Sequence, residues 1–245
     1  MADRPQARDD LELAAWHLEA LYDLDERGDL VRVLGSGNPE PPLVHLVTTR
    51  DGNDWRFHAR LPAAVRARLE PLLASEPTLS AEGRPRCTDA VRAALEEAGY
   101  RVDGEYCGPC FVLPPGLERP TGVVEVTAAN EGVIVRHFDG PWSDLEASRP
   151  MFAVLDGDDA VSLCFVARPS PGAAIEAGVE TAEAHRRRGF ASMVVRAWAA
   201  AVEAGGRLPI YSTSWDNEAS RRIASGLGGR WYGVDTQWAS AVMLP

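Results

Sequence analysis

The sequence predicts an α+β protein: a smaller α+β region over residues 1–115, then a larger one over 121–245 in which a mixed sheet is flanked by helices. Three observations carry this reading. Runs with apolar residues at alternate positions are interleaved with runs whose apolar residues recur every three or four. Asp-Gly turns separate strand-like runs at "RDGND" (50–54) and "LDGDD" (155–159), which marks hairpins and so antiparallel pairing. Between the two regions lies "PPGLERPTG" (114–122), with three prolines, two glycines and few large apolar residues, the composition of a linker.

The smaller region opens with "LELAAWHLEALYDLDERG" (11–28), apolar at helical spacing and expected to run as a helix to Gly28. "LVHLVTT" and "DWRFHARL" flank the first Asp-Gly turn and form a hairpin. "LPAAVRARLEPLLASE" and "CTDAVRAALEEAGY" read as helices, the second closed by Gly99, and "GEYCGPCFVLP" as a strand. In the larger region "VVEVT" is a strand, and "NEGVIVRHF" and "WSDLEAS" are helical pieces. "MFAVL" and "AVSLCFVA" form the second hairpin, and "AAIEAGVET" is a strand. Residues 189–205 form a helix with Phe190, Val194, Trp198 and Val202 on one face. "RLPIYSTS" is a strand, "DNEASRRIASGLGG" a helix, and "WYGVDTQWASAVMLP" a terminal strand pair.

Composition narrows the function. The chain is 245 residues long with net charge −11, so it lacks the cationic face that general binding to nucleic acid or an anionic membrane needs. No apolar run approaches the ~18 residues that span a bilayer, and "MADRPQARDDLELAAWHLE" lacks the pattern of a signal peptide. A cytoplasmic protein with no membrane partner is expected. All 25 basic residues are arginine, which removes Schiff-base lysine chemistry and the phosphate-loop lysine. The four cysteines are too few for a disulfide framework. "CGPC" (107–110) has the spacing of a redox motif, but the prolines of "FVLPPG" that follow deny it the helix N-terminus that activates such a thiol. Zinc would need two further ligands at workable spacing, so no metal is expected.

The stretch "ETAEAHRRRGFAS" (180–192) remains. It joins a strand ending near Thr181 to a helix beginning near Gly189. A glycine-led turn into a helix exposes unpaired N–H groups and the positive end of the helix dipole, and adjacent arginines add attraction for an anion. A solvated arginine corner is the alternative. The string "RRRGFA" (186–191) matches the R/Q-x-x-G-x-G/A signature of the GNAT superfamily of N-acetyltransferases. With the order of elements after residue 121 and the downstream "SWDNEAS", the C-terminal half resembles a bacterial subgroup of that superfamily.

The resemblance implies a mostly antiparallel sheet with two splayed strands, acetyl-CoA as cosubstrate, and transfer of its acetyl group to an amine. It implies that Val179 and Thr181 pair through their backbone with the pantetheine arm. Arg186, Arg187, Arg188, Gly189, Phe190 and Ala191 would form the pyrophosphate loop, with the Ser192 hydroxyl in reach of a phosphate. Asn217 and Ser220 match residues beside the pantetheine, and read otherwise as an N-cap and a surface serine. The family uses a strand glutamate as base, and Glu176 and Glu180 share one face of the strand by period two. Its usual acid, a tyrosine seven residues after the asparagine, is Ala224 here, leaving Tyr211, Tyr232 or water. That departure keeps a second reading open: a CoA-binding sensor without turnover. The expected partner is a small-molecule amine rather than nucleic acid. The N-terminal region is expected to bind substrate, cover the cleft or mediate a homodimer.

Overall fold

A computed structural model describes residues 5–7, 9–35, 40–138 and 145–240. Helix α1 (Asp10–Leu21) leads into a short antiparallel hairpin of β1 (Tyr22–Leu24) and β2 (Leu30–Val33). The hairpin β3 (Val44–Thr49) and β4 (Asn53–Phe57) follows, then α2 (Ala63–Ala74), α3 (Thr88–Glu97) and β5 (Gly104–Val112). After the proline-rich segment come β6 (Val123–Glu125), a 3-10 turn (Glu131–Ile134), β7 (Phe152–Asp156), β8 (Asp159–Val166) and β9 (Ala174–Thr181). Helix α4 (Phe190–Ala204), β10 (Leu208–Ser212), α5 (Glu218–Gly226) and β11 (Arg230–Ala239) complete the fold.

Nine of these strands form one sheet in the order β4-β3-β11-β5-β10-β9-β8-β7-β6. Every neighbouring pair is antiparallel except β9 and β10. The α+β class and the mostly antiparallel sheet thus agree with the sequence. The boundary at 114–122 separates segments of chain but not layers of fold. Strand β5, made before it, lies between β10 and β11, made after it. Ile210 pairs with Val112 on one side, and Gly233 with Cys110 on the other.

Helices α2 to α5 cover one face of the sheet, here called the back. On it Val194, Trp198 and Val202 of α4 pack on Ile175, Tyr211 and Phe111, as the four-residue spacing predicts. Burial of each such side chain contributes roughly 1.5–3 kcal/mol. The other apolar group on this face joins Leu69, Leu73, Val91 and Leu95 of α2 and α3 to Val44, Leu46 and Trp238. The front face carries α1, whose Leu13 and Ala20 pack with Cys110, Ala174, Ile210 and Tyr232.

Several expectations need correction. The first helix stops at Leu21 rather than Gly28, because Tyr22 turns into an extended strand and Gly28 serves the β1–β2 turn with φ +80°. Residues 131–134 form only a 3-10 turn, and Gly132 within it disfavours a longer helix. The expected helix over 142–148 lies partly outside the described residues, and Leu145–Ser148 is a turn. The C-terminal run is one strand through Ala239, with 241–245 outside the described residues. The place beside it is filled by β5.

Candidate active site

The only parallel pair of the sheet opens into a notch. Strands β9 and β10 are in register at Ala174, Ile175 and Glu176 and part beyond them. Glu176 O accepts from Ala167 N and Ala182 N donates to Val161 O, so the backbone groups of even-numbered β9 residues point to β8. Those of Ala177, Val179 and Thr181 therefore point the other way, to the side β10 has left. This is where the sequence placed Val179 and Thr181. Arg186 Nε donates to Thr181 O at 3.3 Å, at the open end.

From the open end the chain passes through a 3-10 turn (Glu183–His185) into α4. Arg187 has φ +62° and Gly189, the N-cap, has φ +81°. A positive φ at a residue as bulky as arginine stores strain, and such strain concentrates at ligand loops. No atom lies within 4 Å of where a Gly189 Cβ would be, so the space above the helix end is clear. The first helical residues Phe190, Ala191 and Ser192 offer N–H groups that the helix cannot satisfy. Arg186, Arg187 and Arg188 are exposed, and among the described residues no carboxylate pairs with them. Three cations without a carboxylate partner among the described residues thus stand beside an open helix N-terminus, an arrangement that attracts an anion.

Asn217 caps α5: its Oδ1 accepts from Ser220 N at 3.1 Å. The Ser220 hydroxyl meets Tyr211, whose burial pushes its phenol up to about 12 despite that hydrogen bond. Tyr211 lies on the back face, among α4 and α5. Ala224 is buried between them with 0% exposure, so the usual tyrosine position is packed shut.

Glu176, Gly178 and Glu180 point to the front face. The Phe165 ring lies against Gly178 so closely that a Cβ would collide with it. Glu180 is exposed on the strand, and partial desolvation raises its carboxyl. Glu176 sits at the apex of the notch with a side chain only 12% exposed. Its Oε1 accepts a hydrogen bond from Ser212 Oγ and stands 3.5 Å from His17 Nε2.

Behind Glu176 lies a buried polar network. His17 Nδ1 is 3.0 Å from Tyr232 Oη. His45 Nε2 lies 2.6 Å from Asp235 Oδ1, with its Nδ1 3.0 Å from Tyr22 Oη. Burial alone would raise the Asp235 carboxyl, but the charge and hydrogen bond of His45 outweigh it, with help from His17 and Gln237, and hold it below the usual range. Burial likewise pushes the Tyr106 phenol up, against a hydrogen bond with Ser212. Donor atoms of His17, Cys110 and Asp235 converge within 4.8 Å, the one such group among the described residues. Hydrogen bonds already engage Asp235 with His45 and His17 with Tyr232, so protein partners account for the cluster.

His17, Tyr106, Ser212, His45 and Asp235 were not singled out from the sequence. The available signal was a histidine within the apolar stripe Leu13, Ala14, Leu18 and Leu21 of the first helix. The thiols of Cys107 and Cys110 are both free, lie on strand β5 three residues apart and so face opposite sides of the sheet. Burial raises both.

Residues 159–239, from β8 through β11, match the model of the family described as FR47-like protein. The notch, the arginine loop and α5 all lie within the matched residues. No curated protein matches the sequence. Among solved structures the chain is similar to an acetyltransferase of the GNAT family from Colwellia psychrerythraea, at 11% identity over 96% of this chain and 98% of that one, with a TM-score of 0.47. It is similar to a tandem GNAT protein from the clavulanic acid biosynthesis pathway at 14% identity over 98% and 99% of the two chains, with a TM-score of 0.45. It is also similar to a GCN5-related N-acetyltransferase from Kribbella flavida at 18% identity over 63% of this chain and 65% of that one, with a TM-score of 0.42. Among the described residues no helix is long and apolar enough to cross a membrane.

Proposed function

We propose that the protein is an acetyl-CoA-dependent N-acetyltransferase of the cytoplasm that acetylates a primary amine of a small molecule. The observation that carries this reading is the notch, with a carboxylate at its apex and a cationic, uncapped helix N-terminus at its mouth. Acetyl-CoA supplies the activated acyl group. The N–H groups of Phe190, Ala191 and Ser192 and the three arginines hold its pyrophosphate, and the backbone groups of Val179 and the N–H of Thr181, whose carbonyl Arg186 engages, hold its pantetheine arm.

In the reaction the amine nitrogen forms a bond to the thioester carbonyl carbon, and the carbon–sulfur bond breaks. Glu176 takes the proton the amine loses, a role worth typically 10²–10⁴-fold in rate. The thiolate must gain a proton. Two phenols, Tyr211 on the back face and Tyr106 on the front, stay protonated at neutral pH because burial raises them, and so are donors in kind.

Binding is tested by thermal shift. Acetyl-CoA at about 100 times its dissociation constant adds roughly 2.7 kcal/mol of stability, which is expected as a rise in Tm. No shift at millimolar ligand rejects the cofactor assignment. Thiol release from acetyl-CoA over a panel of amines tests turnover. The packed Ala224 favours a second reading, a CoA-binding module without catalysis, and binding without thiol release for any amine would select it.

A further inference from the structure

We propose that His17, carried on the N-terminal helix α1, is a positioning residue for Glu176: as an imidazolium it keeps that carboxylate ionised and directed at the apex of the notch. This rests on the reading of Glu176 as the base.

The geometry places His17 in the middle of the sheet's front face with a side chain only 1% exposed. A neutral, isolated imidazole there would be easy to explain as core. His17 is not isolated. Its Nε2 faces Glu176 Oε1 at 3.5 Å and has no other partner, while its Nδ1 meets the Tyr232 hydroxyl at 3.0 Å. If both ring nitrogens carry protons, Nδ1 donates to the Tyr232 oxygen and Nε2 points its proton at the carboxylate. Tyr232 can then turn its own proton to Cys110, with which it hydrogen-bonds. Every group in the chain from Cys110 to Glu176 has a complementary role in that state.

The surrounding charges agree. The titratable groups around the pair are Glu176 from β9, Tyr106 and Cys110 from β5, Tyr232 and Asp235 from β11, His45 from β3, and Tyr22 from β1, whose phenol burial keeps protonated. Cys110, Tyr106 and Tyr232 are held protonated and neutral by burial. Asp235 is matched by His45 at 2.6 Å. The Glu176 carboxylate is thus left to His17. Burial, the largest influence on His17, opposes its charge, but the hydrogen bond and charge of Glu176, with the charge of Asp235, prevail and raise its pKa. Burial favours the neutral form of a carboxyl group that has no cationic partner, and a neutral carboxyl group cannot act as base.

The test has two arms on the full-length chain. Long-range proton–nitrogen NMR of ¹⁵N-labelled protein follows the His17 ring, identified by the signals that vanish in His17→Gln or, if that variant does not fold, by triple-resonance assignment of the wild type. The ring is expected to titrate above the ordinary histidine range, and in Glu176→Gln its midpoint falls by about one pH unit or more. A midpoint that does not respond to Glu176→Gln, or a ring neutral throughout, overturns the proposal. This arm needs no acceptor amine, so it can succeed or fail independently of acetyl transfer.

The second arm is the pH profile of kcat. If the imidazolium supports the Glu176 carboxylate, His17→Gln moves the acid limb up by about one pH unit, with a loss of up to about tenfold on the acid side of the wild-type limb that disappears above the shifted one. KM for acetyl-CoA should stay within about twofold, since the cofactor contacts lie elsewhere. A loss of equal size at every pH would show a structural role only and sink the proposal. Stoichiometric zinc in the purified protein would also sink it, because a metal-bound imidazole does not carry the second proton.

Discussion

At the scale of residues, two glycines define the site from opposite directions. Gly189 has a left-handed φ of +81° and empty space around its missing Cβ. Gly189→Glu therefore folds, with a backbone cost of about 1–2 kcal/mol, but it puts a negative side chain where an anion must approach. Isothermal titration with CoA is expected to show no binding, and near-native affinity would place the phosphates elsewhere. Gly108 is the reverse case. A Cβ there would run into the carbonyl of Thr213 and the Cα of Ser214, where the chain leaving β10 crosses β5. Gly108→Ala has no flexible side chain to displace, and the loss of stability should reach at least the ~1–3 kcal/mol usual for overpacking. Urea denaturation will read it, and an unchanged midpoint would show that the crossing can relax. The arginine loop and the helix N-terminus behind it were legible in the sequence because they are made of consecutive residues. The neighbours of Glu176 were not. His17, Asp235 and Ser212 are brought to it by three different elements, and no spacing along the chain announces their meeting.

At the scale of elements, strand β5 explains why "CGPC" resembles a motif without acting as one. The strand alternates Tyr106, Gly108 and Cys110 to the front with Cys107, Pro109 and Phe111 to the back, so the glycine serves a close approach of Thr213 and Ser214 rather than a redox turn. The strands and helices with sustained periodicity were all legible, including α4, whose face of Val194, Trp198 and Val202 is buried as read. Short elements escaped. The β1–β2 hairpin has strands of three and four residues, too brief for a period to show: β1 lies inside the expected helix and β2 just beyond it. Helix α1 carries its meaning in a single polar residue within an apolar stripe, which pattern reading counts as noise.

At the scale of the whole molecule, the segment 114–122 is a linker in composition, yet the sheet is continuous across it. That combination makes a definite expectation. A fragment of residues 121–245 alone lacks the strand between β10 and β11, and should be unfolded or aggregated by circular dichroism and size exclusion. Coexpressed with residues 1–120, it should recover a soluble complex whose Tm rises with acetyl-CoA. A soluble, CoA-binding C-terminal fragment by itself would show that β5 is dispensable. The same insertion sets a timetable for the nascent chain. Strand β5 is made before both of its neighbours, so it must wait with two open edges while residues 113–207 are synthesised. Its central glycine and proline, poor strand formers in isolation, keep that waiting edge from finding another partner first.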